Sequence, residues 1–187
     1  MFGLLVVEDY VGGVMVGRVV KGRRSGGDRA TQAMTRLFYA ILSAGAVETW
    51  VGFSFTDVDG VDRGFTVRGH YGTASFFWNT AYCPHGVRVR FGSGTTAPTR
   101  TDYRLANEFG VDPNPPIFVD EAGGVVTVEG HFSSGVDRDV CEVGLTLVGT
   151  VSGDRTCGEV LLDRTVWSPC RSVPAGVPYA VRYRFVL

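Results

Sequence analysis

The chain has 187 residues and a formal net charge of −1, with 44% hydrophobic and 20% charged residues. These values are typical of a folded globular protein and exclude an intrinsically disordered one. The near-zero charge provides no basic field to attract nucleic acid or an anionic membrane. No run of about 18 apolar residues predicts a transmembrane helix.

The first part of the chain predicts two apolar strands, FGLLVV (2–7) and GGVMVGRVV (12–20). Both are unusually apolar for a free terminus, so we interpret residues 1–27 as an N-terminal assembly ribbon that contacts a neighbouring subunit. We expect a chain lacking residues 1–20 to keep a folded core but lose assembly.

One α-helix is predicted at about 29–45, in the segment DRATQAMTRLFYAILSAG. Asp28 is suited to the N-cap and Gly45 to the C-terminal position, and apolar residues recur between them at helical spacing. This helix is the alternative candidate for the contact with a neighbour.

After the helix, hydrophobic residues recur with a period of two, which predicts strands separated by turn residues. The fold class that follows is mainly β, an antiparallel β-sandwich or barrel-like fold in a single β-rich domain over residues 1–187. The predicted strands are 48–55, 64–71, 75–82, 86–92, 115–121, 123–132, 140–149, 159–167 and 178–187.

The hairpin sequence TDVDGVD contains three carboxylates, Asp57, Asp59 and Asp62, and is a weak calcium candidate. An EF-hand loop requires glycine at position six and glutamate at position twelve, and this segment has neither. A solvated hairpin tip is the favoured interpretation, so no metal and no cofactor are predicted.

The stretch RFGSGTTAPTRTDYRLANEF (90–109) has the glycines and hydroxyls of a phosphate-binding loop. It lacks the lysine of a Walker loop, and Pro98 prevents the long helix of a dinucleotide fingerprint. We favour an architectural corner in which Gly92 and Gly94 adopt positive φ. A short helical turn capped by Thr101 or Asp102 is predicted to follow.

Catalytic residues are not predicted. His131 lies near Ser133 and Ser134, but no nucleophile elbow or third orienting group is visible. A small hydrolase that uses His131 with Glu129 or Asp137 is therefore the least favoured reading.

The cysteines allow one sharper hypothesis. If strands 140–149 and 159–167 pair, Cys141 falls opposite roughly position 168, close to Cys170. A Cys141–Cys170 disulfide and two buried free thiols both stay open. Of the 18 basic residues only Lys21 is a lysine; a GC-rich genome would give this arginine bias, and so would a hot habitat, so it is a weak indication of a thermophilic source.

Three segments together resemble a known family. GSGTTAPTRTDYRLANEF (92–109) is similar to the glycine–threonine motif of tailed-phage virion proteins, CEVGL (141–145) to a later strand, and LLDRTVWSP (161–169) to the hairpin that follows it. These are tail-fibre, tail-collar and related structural proteins, with relatives among archaeal viruses. The motif residues carried over are Gly92, Gly94, Thr95, Thr96, Pro98, Asp102, Leu105, Glu142, Gly144, Leu145, Asp163 and Arg164.

The resemblance implies a non-enzymatic protein of a tail, collar or capsid, located in the virion and assembled in the host cytoplasm. Its implied partners are further copies of itself and other virion proteins. The alternative is a carbohydrate- or surface-binding module that contacts a host receptor or glycan, with Trp50, Trp78 and Trp167, together with Tyr71 and Tyr82, as a stacking platform.

Overall fold

A computed structural model describes residues 4–21, 50–70, 73–75, 86–120, 122–150 and 157–186. These residues form β-strands that pair antiparallel throughout, and they contain no helix. The prediction of a mainly β, antiparallel fold is confirmed. The predicted helix at 29–45 lies outside the described residues, as does most of the predicted strand 75–82. Within the same ranges no helix is both long and apolar enough to cross a membrane.

The strands, numbered along the chain, are β1 (Leu4–Val11), β2 (Val14–Lys21), β3 (Trp50–Thr56), β4 (Asp62–His70), β5 (Thr73–Ser75), β6 (Gly86–Gly92), β7 (Glu108–Asp112), β8 (Ile117–Asp120), β9 (Val125–Phe132), β10 (Arg138–Thr150), β11 (Cys157–Val173) and β12 (Tyr179–Val186). They form three sheets. The five-stranded sheet has the order β2-β1-β12-β9-β8, the four-stranded sheet β11-β10-β6-β7, and the three-stranded sheet β3-β4-β5.

The alternating pattern of β12 explains how the five-stranded sheet acquires a buried face. Tyr179, Val181, Tyr183 and Phe185 are buried, and the residues between them are only partly so. They join one hydrophobic cluster with side chains of β6, β10 and β11 from the four-stranded sheet. The two sheets approach closely at Gly130 of β9. A Cβ at this position would overlap the side chain of Val89 on β6. This shared core positions the site described below.

The position of β1 argues against the expectation that a chain lacking residues 1–20 keeps its core. β1 lies between β2 and β12, and its Leu5, Val6 and Val7 are buried. Deleting these residues would open the core of the five-stranded sheet. A test of the N-terminal strands therefore requires point substitutions on exposed positions.

Two further differences concern the bounds of the strands. The residues expected to form a short helical turn lead instead into β7, which pairs with β6. β10 and β11 are longer than predicted and pair along most of their length, with bulges between Val140 and Glu142 and between Leu145 and Thr146.

Candidate functional site

A buried carboxylate, Glu142 of β10, lies where the three resembling segments meet. It is fully buried. Its Oε1 accepts hydrogen bonds from the backbone N–H groups of Gly94 (3.1 Å) and Asn107 (2.7 Å), and its Oε2 accepts one from Ala106 (3.0 Å). A charge buried to this degree requires such donors and a partner of opposite sign.

Arg164 of β11 is that partner. Its Nε and Nη2 both lie 2.8 Å from Glu142 Oε2, while Nη1 donates to Asp102 Oδ2 at 2.8 Å and Nη2 to Thr96 Oγ1 at 3.1 Å. Burial acts to lower the pKa of Arg164, but the hydrogen bonds to Asp102 and Glu142 outweigh it and raise the pKa. We call Thr96, Asp102, Glu142 and Arg164 the Glu142 cluster.

Asp102 fixes the loop that covers this cluster. Its carboxylate accepts hydrogen bonds from the Thr99 backbone N–H (2.9 Å) and hydroxyl (2.6 Å) as well as from Arg164. Burial opposes ionisation, yet the bonds from Thr99 and Arg164 lower the pKa of Asp102 below its usual value. Asp102 therefore closes a turn with Thr99 instead of capping a helical turn.

The glycines of the motif are required by proximity. Gly92 and Gly94 are absent from the positive-φ glycines, so the expected reason for them is wrong. A Cβ would lie 2.6 Å from Glu142 Oε1 at Gly92 and 2.5 Å from the same atom at Gly94. At Gly144 it would lie 2.9 Å from Leu105, which is buried against that strand. At Gly92 and Gly94 the backbone thus lies so close to the Glu142 carboxylate that a side chain would overlap it.

This arrangement also answers the phosphate-loop alternative. The Gly94 N–H, which such a loop would offer to an anion, donates to the protein's own Glu142. Of the remaining motif residues, Thr95 is exposed, Pro98 is half-buried, and Leu145 belongs to the hydrophobic core.

A second buried ion pair adjoins the first. Asp163 is fully buried, and Lys21 Nζ lies 2.8 and 2.9 Å from its two oxygens and 2.9 Å from the Arg164 carbonyl oxygen. The Thr165 hydroxyl donates to the same carboxylate at 3.1 Å. The single lysine of the chain thus ties β2 to β11. Sequence reasoning missed it, although its isolation among arginines was a usable signal.

Two of the three hairpin carboxylates of the calcium candidate are bonded to groups of the protein itself. Asp57 accepts hydrogen bonds from the backbone N–H groups of Asp59 (3.0 Å) and Val61 (2.9 Å) and pairs with Arg63, while Asp62 accepts one from the Thr56 hydroxyl. No group of three potential metal ligands occurs among the described residues, which include all three aspartates. Asp57 therefore acts as an anchor of the turn.

His131 lies among charged side chains at the protein surface. Its Nε2 lies 3.0 Å from Glu129 Oε1, and Glu129 also pairs with Arg182. Burial acts to raise the pKa of Glu129, but the hydrogen bonds from Arg182 and His131 outweigh burial and lower this pKa. The His131 side chain is 52% exposed, and Asp137 bonds instead to the Ala175 N–H. The residues of the hydrolase reading are thus only partly brought together.

The bulge that precedes Glu142 carries a disulfide between Cys141 and Cys170. The adjacent Arg171 donates to Asp9 Oδ2 at 2.7 Å, and the Tyr179 hydroxyl lies 3.3 Å from the same atom. Burial raises the pKa of Asp9 in spite of Arg171. Cys157 is also disulfide-bonded.

The arginine-rich strand β6 pairs with acidic side chains of its own sheet. Arg90 Nε donates to Glu159 Oε1 at 2.7 Å, Arg88 Nη1 to Glu159 Oε2 at 3.0 Å, and Arg90 Nη1 to Glu108 at 2.5 Å. Burial acts to raise the pKa of Glu159, but the hydrogen bonds from Arg90 and Thr146 outweigh burial and lower this pKa. These cations are therefore neutralised within the chain.

The comparisons with known proteins give no family. No protein-family model matches the chain, and no curated protein or solved structure shows significant similarity to it.

Proposed function

We propose that the chain is a non-enzymatic virion structural protein, a tail, collar or capsid component, that assembles through strand interfaces and through the predicted helix. The observation that carries this proposal is the convergence of segments 92–109, 141–145 and 161–169 on the Glu142 cluster. We further propose that the two larger sheets form a β-sandwich, which their shared hydrophobic cluster supports.

The burial of Glu142 and Arg164 supports a structural role for the motif. Glu142 has no exposed surface and Arg164 very little, so a substrate could not reach the charged atoms of this pair without displacing the residues that cover it. The three backbone N–H groups and the arginine that donate to Glu142 instead hold a long loop on the sheet. Surface loops usually have few such fixed contacts. A fixed loop of this kind favours a chain that presents a defined surface to neighbours.

The proposed partners are further copies of the chain and other virion proteins, in a virion assembled in the host cytoplasm. Exposed apolar residues on two strand edges support a protein whose surface is covered by a neighbour, because monomeric proteins usually protect such edges.

Negative-stain microscopy of the purified full-length protein tests the proposal. Rings, tubes, fibres or other closed particles of uniform shape are expected. Fields that contain only particles of the size of a single chain, at every concentration that can be imaged, would contradict it.

The alternative is a carbohydrate- or surface-binding module. A shallow depression on the five-stranded sheet favours it, since Tyr10 and Phe118 lie there beside Glu129 and Arg182. Trp167 does not contribute, because it is 3% exposed, and the other rings of the platform have side chains outside the described residues. Binding on a glycan array that is lost with Phe118→Ala, in a protein that stays monomeric, would establish this alternative.

A further inference from the structure

The two edges of the five-stranded sheet carry most of the exposed apolar side chains. β2 and β8 are the outermost strands and each has one hydrogen-bonded neighbour among the described strands. Ten large hydrophobic residues are exposed in the described parts of the chain, and seven of them are on these two strands: Val14, Met15, Val16, Val20, Ile117, Phe118 and Val119. A sheet edge with exposed apolar side chains is a template for pairing with another strand.

One cross-strand row connects the two edges on the same face. Val20 pairs with Val6, Val6 with Arg184, Arg184 with Thr127, and Thr127 with Phe118. The row ends in Val20, 44% exposed, at the β2 edge and in Phe118, 56% exposed, at the β8 edge. The two edges thus present apolar side chains at the same level of the sheet.

The next row carries alternating charges. Arg18 pairs with Glu8, Glu8 with Arg182, and Arg182 with Glu129, whose backbone N–H donates to Pro116 just before β8. The side chains of Arg18 and Glu8 lie 3.4 Å apart, and those of Arg182 and Glu129 form an ion pair. The row is cationic at the β2 edge, in Arg18, and anionic one strand inside the β8 edge, in Glu129.

From these rows we infer that the sheet continues between copies, with the β2 edge of one chain placed against the β8 edge of the next. This inference rests on the proposed function and names the surface through which the assembly forms. With Val20 level with Phe118, Arg18 is level with Pro116, and the cationic end of one charged row faces the anionic end, Glu129, of the next. Contact between two β2 edges, or between two β8 edges, would instead place row ends of like charge next to each other, which is unfavourable.

The strand directions determine the geometry of this contact. Four antiparallel pairings separate β2 from β8, so the two strands run in the same direction within one chain. A neighbour related by rotation about an assembly axis therefore adds its β2 parallel to β8. Such a head-to-tail contact closes into a ring or continues as a filament, whereas a two-fold contact stops at a dimer.

Two edge variants test the inference, Val20→Arg and Phe118→Arg. Both positions are exposed, so each variant is expected to fold, and Val136→Arg, at an equally exposed position off both edges, is the matched control. By sedimentation velocity we expect either edge variant alone to associate about 30-fold more weakly or worse, the loss typical of a disrupted interface centre. The control should assemble as the unmodified chain does.

Mixing the two edge variants separates the geometries. Each keeps one intact edge, so an equimolar mixture should form a dimer of twice the 20.2 kDa chain mass. Assembly of both variants as well as the unmodified chain would overturn the inference, as would loss confined to one variant or a mixture that stays monomeric. In these cases the proposed function stands. An unmodified chain that is itself monomeric would overturn the proposed function instead.

Discussion

Replacing Glu142 with alanine is expected to be among the most damaging single changes to this fold. The substitution removes the acceptor for three backbone N–H groups and leaves the buried Arg164 guanidinium with Asp102 and Thr96 alone. Breaking a buried ion pair from one side typically costs about 3–5 kcal/mol, because the remaining charge stays buried without compensation. That is a large part of the roughly 5–15 kcal/mol by which a domain is stable.

The assay is urea unfolding at neutral pH and one fixed protein concentration, because association would add a concentration-dependent stabilisation. Glu108→Ala is the matched control: it removes a carboxylate from an ion pair with Arg90 that is partly exposed, and should cost no more than about 1 kcal/mol. Glu142→Gln, which keeps the shape but places an amide N–H where an acceptor is needed, should fall between the two. A Glu142→Ala free energy of unfolding equal to that of Glu108→Ala would refute the role of Glu142 as a buried ion-pair partner that holds the loop on the sheet.

Three further predictions concern packing, cross-linking and pH. Gly94→Ala should lower the free energy of unfolding by about 1–3 kcal/mol, because its Cβ would overlap the Glu142 carboxylate, whereas Gly135→Ala, with no atom within 4 Å, should change it by less than about 0.5 kcal/mol in the same titration. Replacing both Cys141 and Cys170 with alanine should cost about 3–4 kcal/mol under non-reducing conditions, since the disulfide closes a separation of 29 residues; an unchanged denaturation midpoint would contradict this. The pKa of Glu159 is lower in the folded than in the unfolded chain. Its contribution to the free energy of unfolding is therefore complete above the unfolded-state pKa of about 4.3 and is lost as pH falls through the folded-state pKa. Thermal melts from pH 6 to pH 2 should therefore show a smaller acid-induced drop for Glu159→Gln than for the unmodified chain.

Local periodicity predicted most of the strands because each strand has its own alternating pattern. The predicted bounds of β6, 86–92, agree with those observed, and the buried face of β12 follows its sequence alternation. β7 was missed because Leu105 and Phe109 are spaced as on a helix, while the actual contact of residues 108–112 is with β6.

The Glu142 cluster could not be predicted from local pattern. Glu142, Gly144 and Thr146 alternate with the core residues of β10 and look like a solvent face, yet all of residues 140–148 are buried. A loop 35–48 residues away in sequence covers that face, and period-two analysis contains no information on such a contact. The resembling segments gave the identity of these residues but not their geometry.

Native mass spectrometry of the unmodified protein over a dilution series tests the proposed assembly without any substitution. We expect masses at a small set of integer multiples of 20.2 kDa, with the multiples gaining population as concentration rises. A single species of 20.2 kDa at every concentration would contradict it.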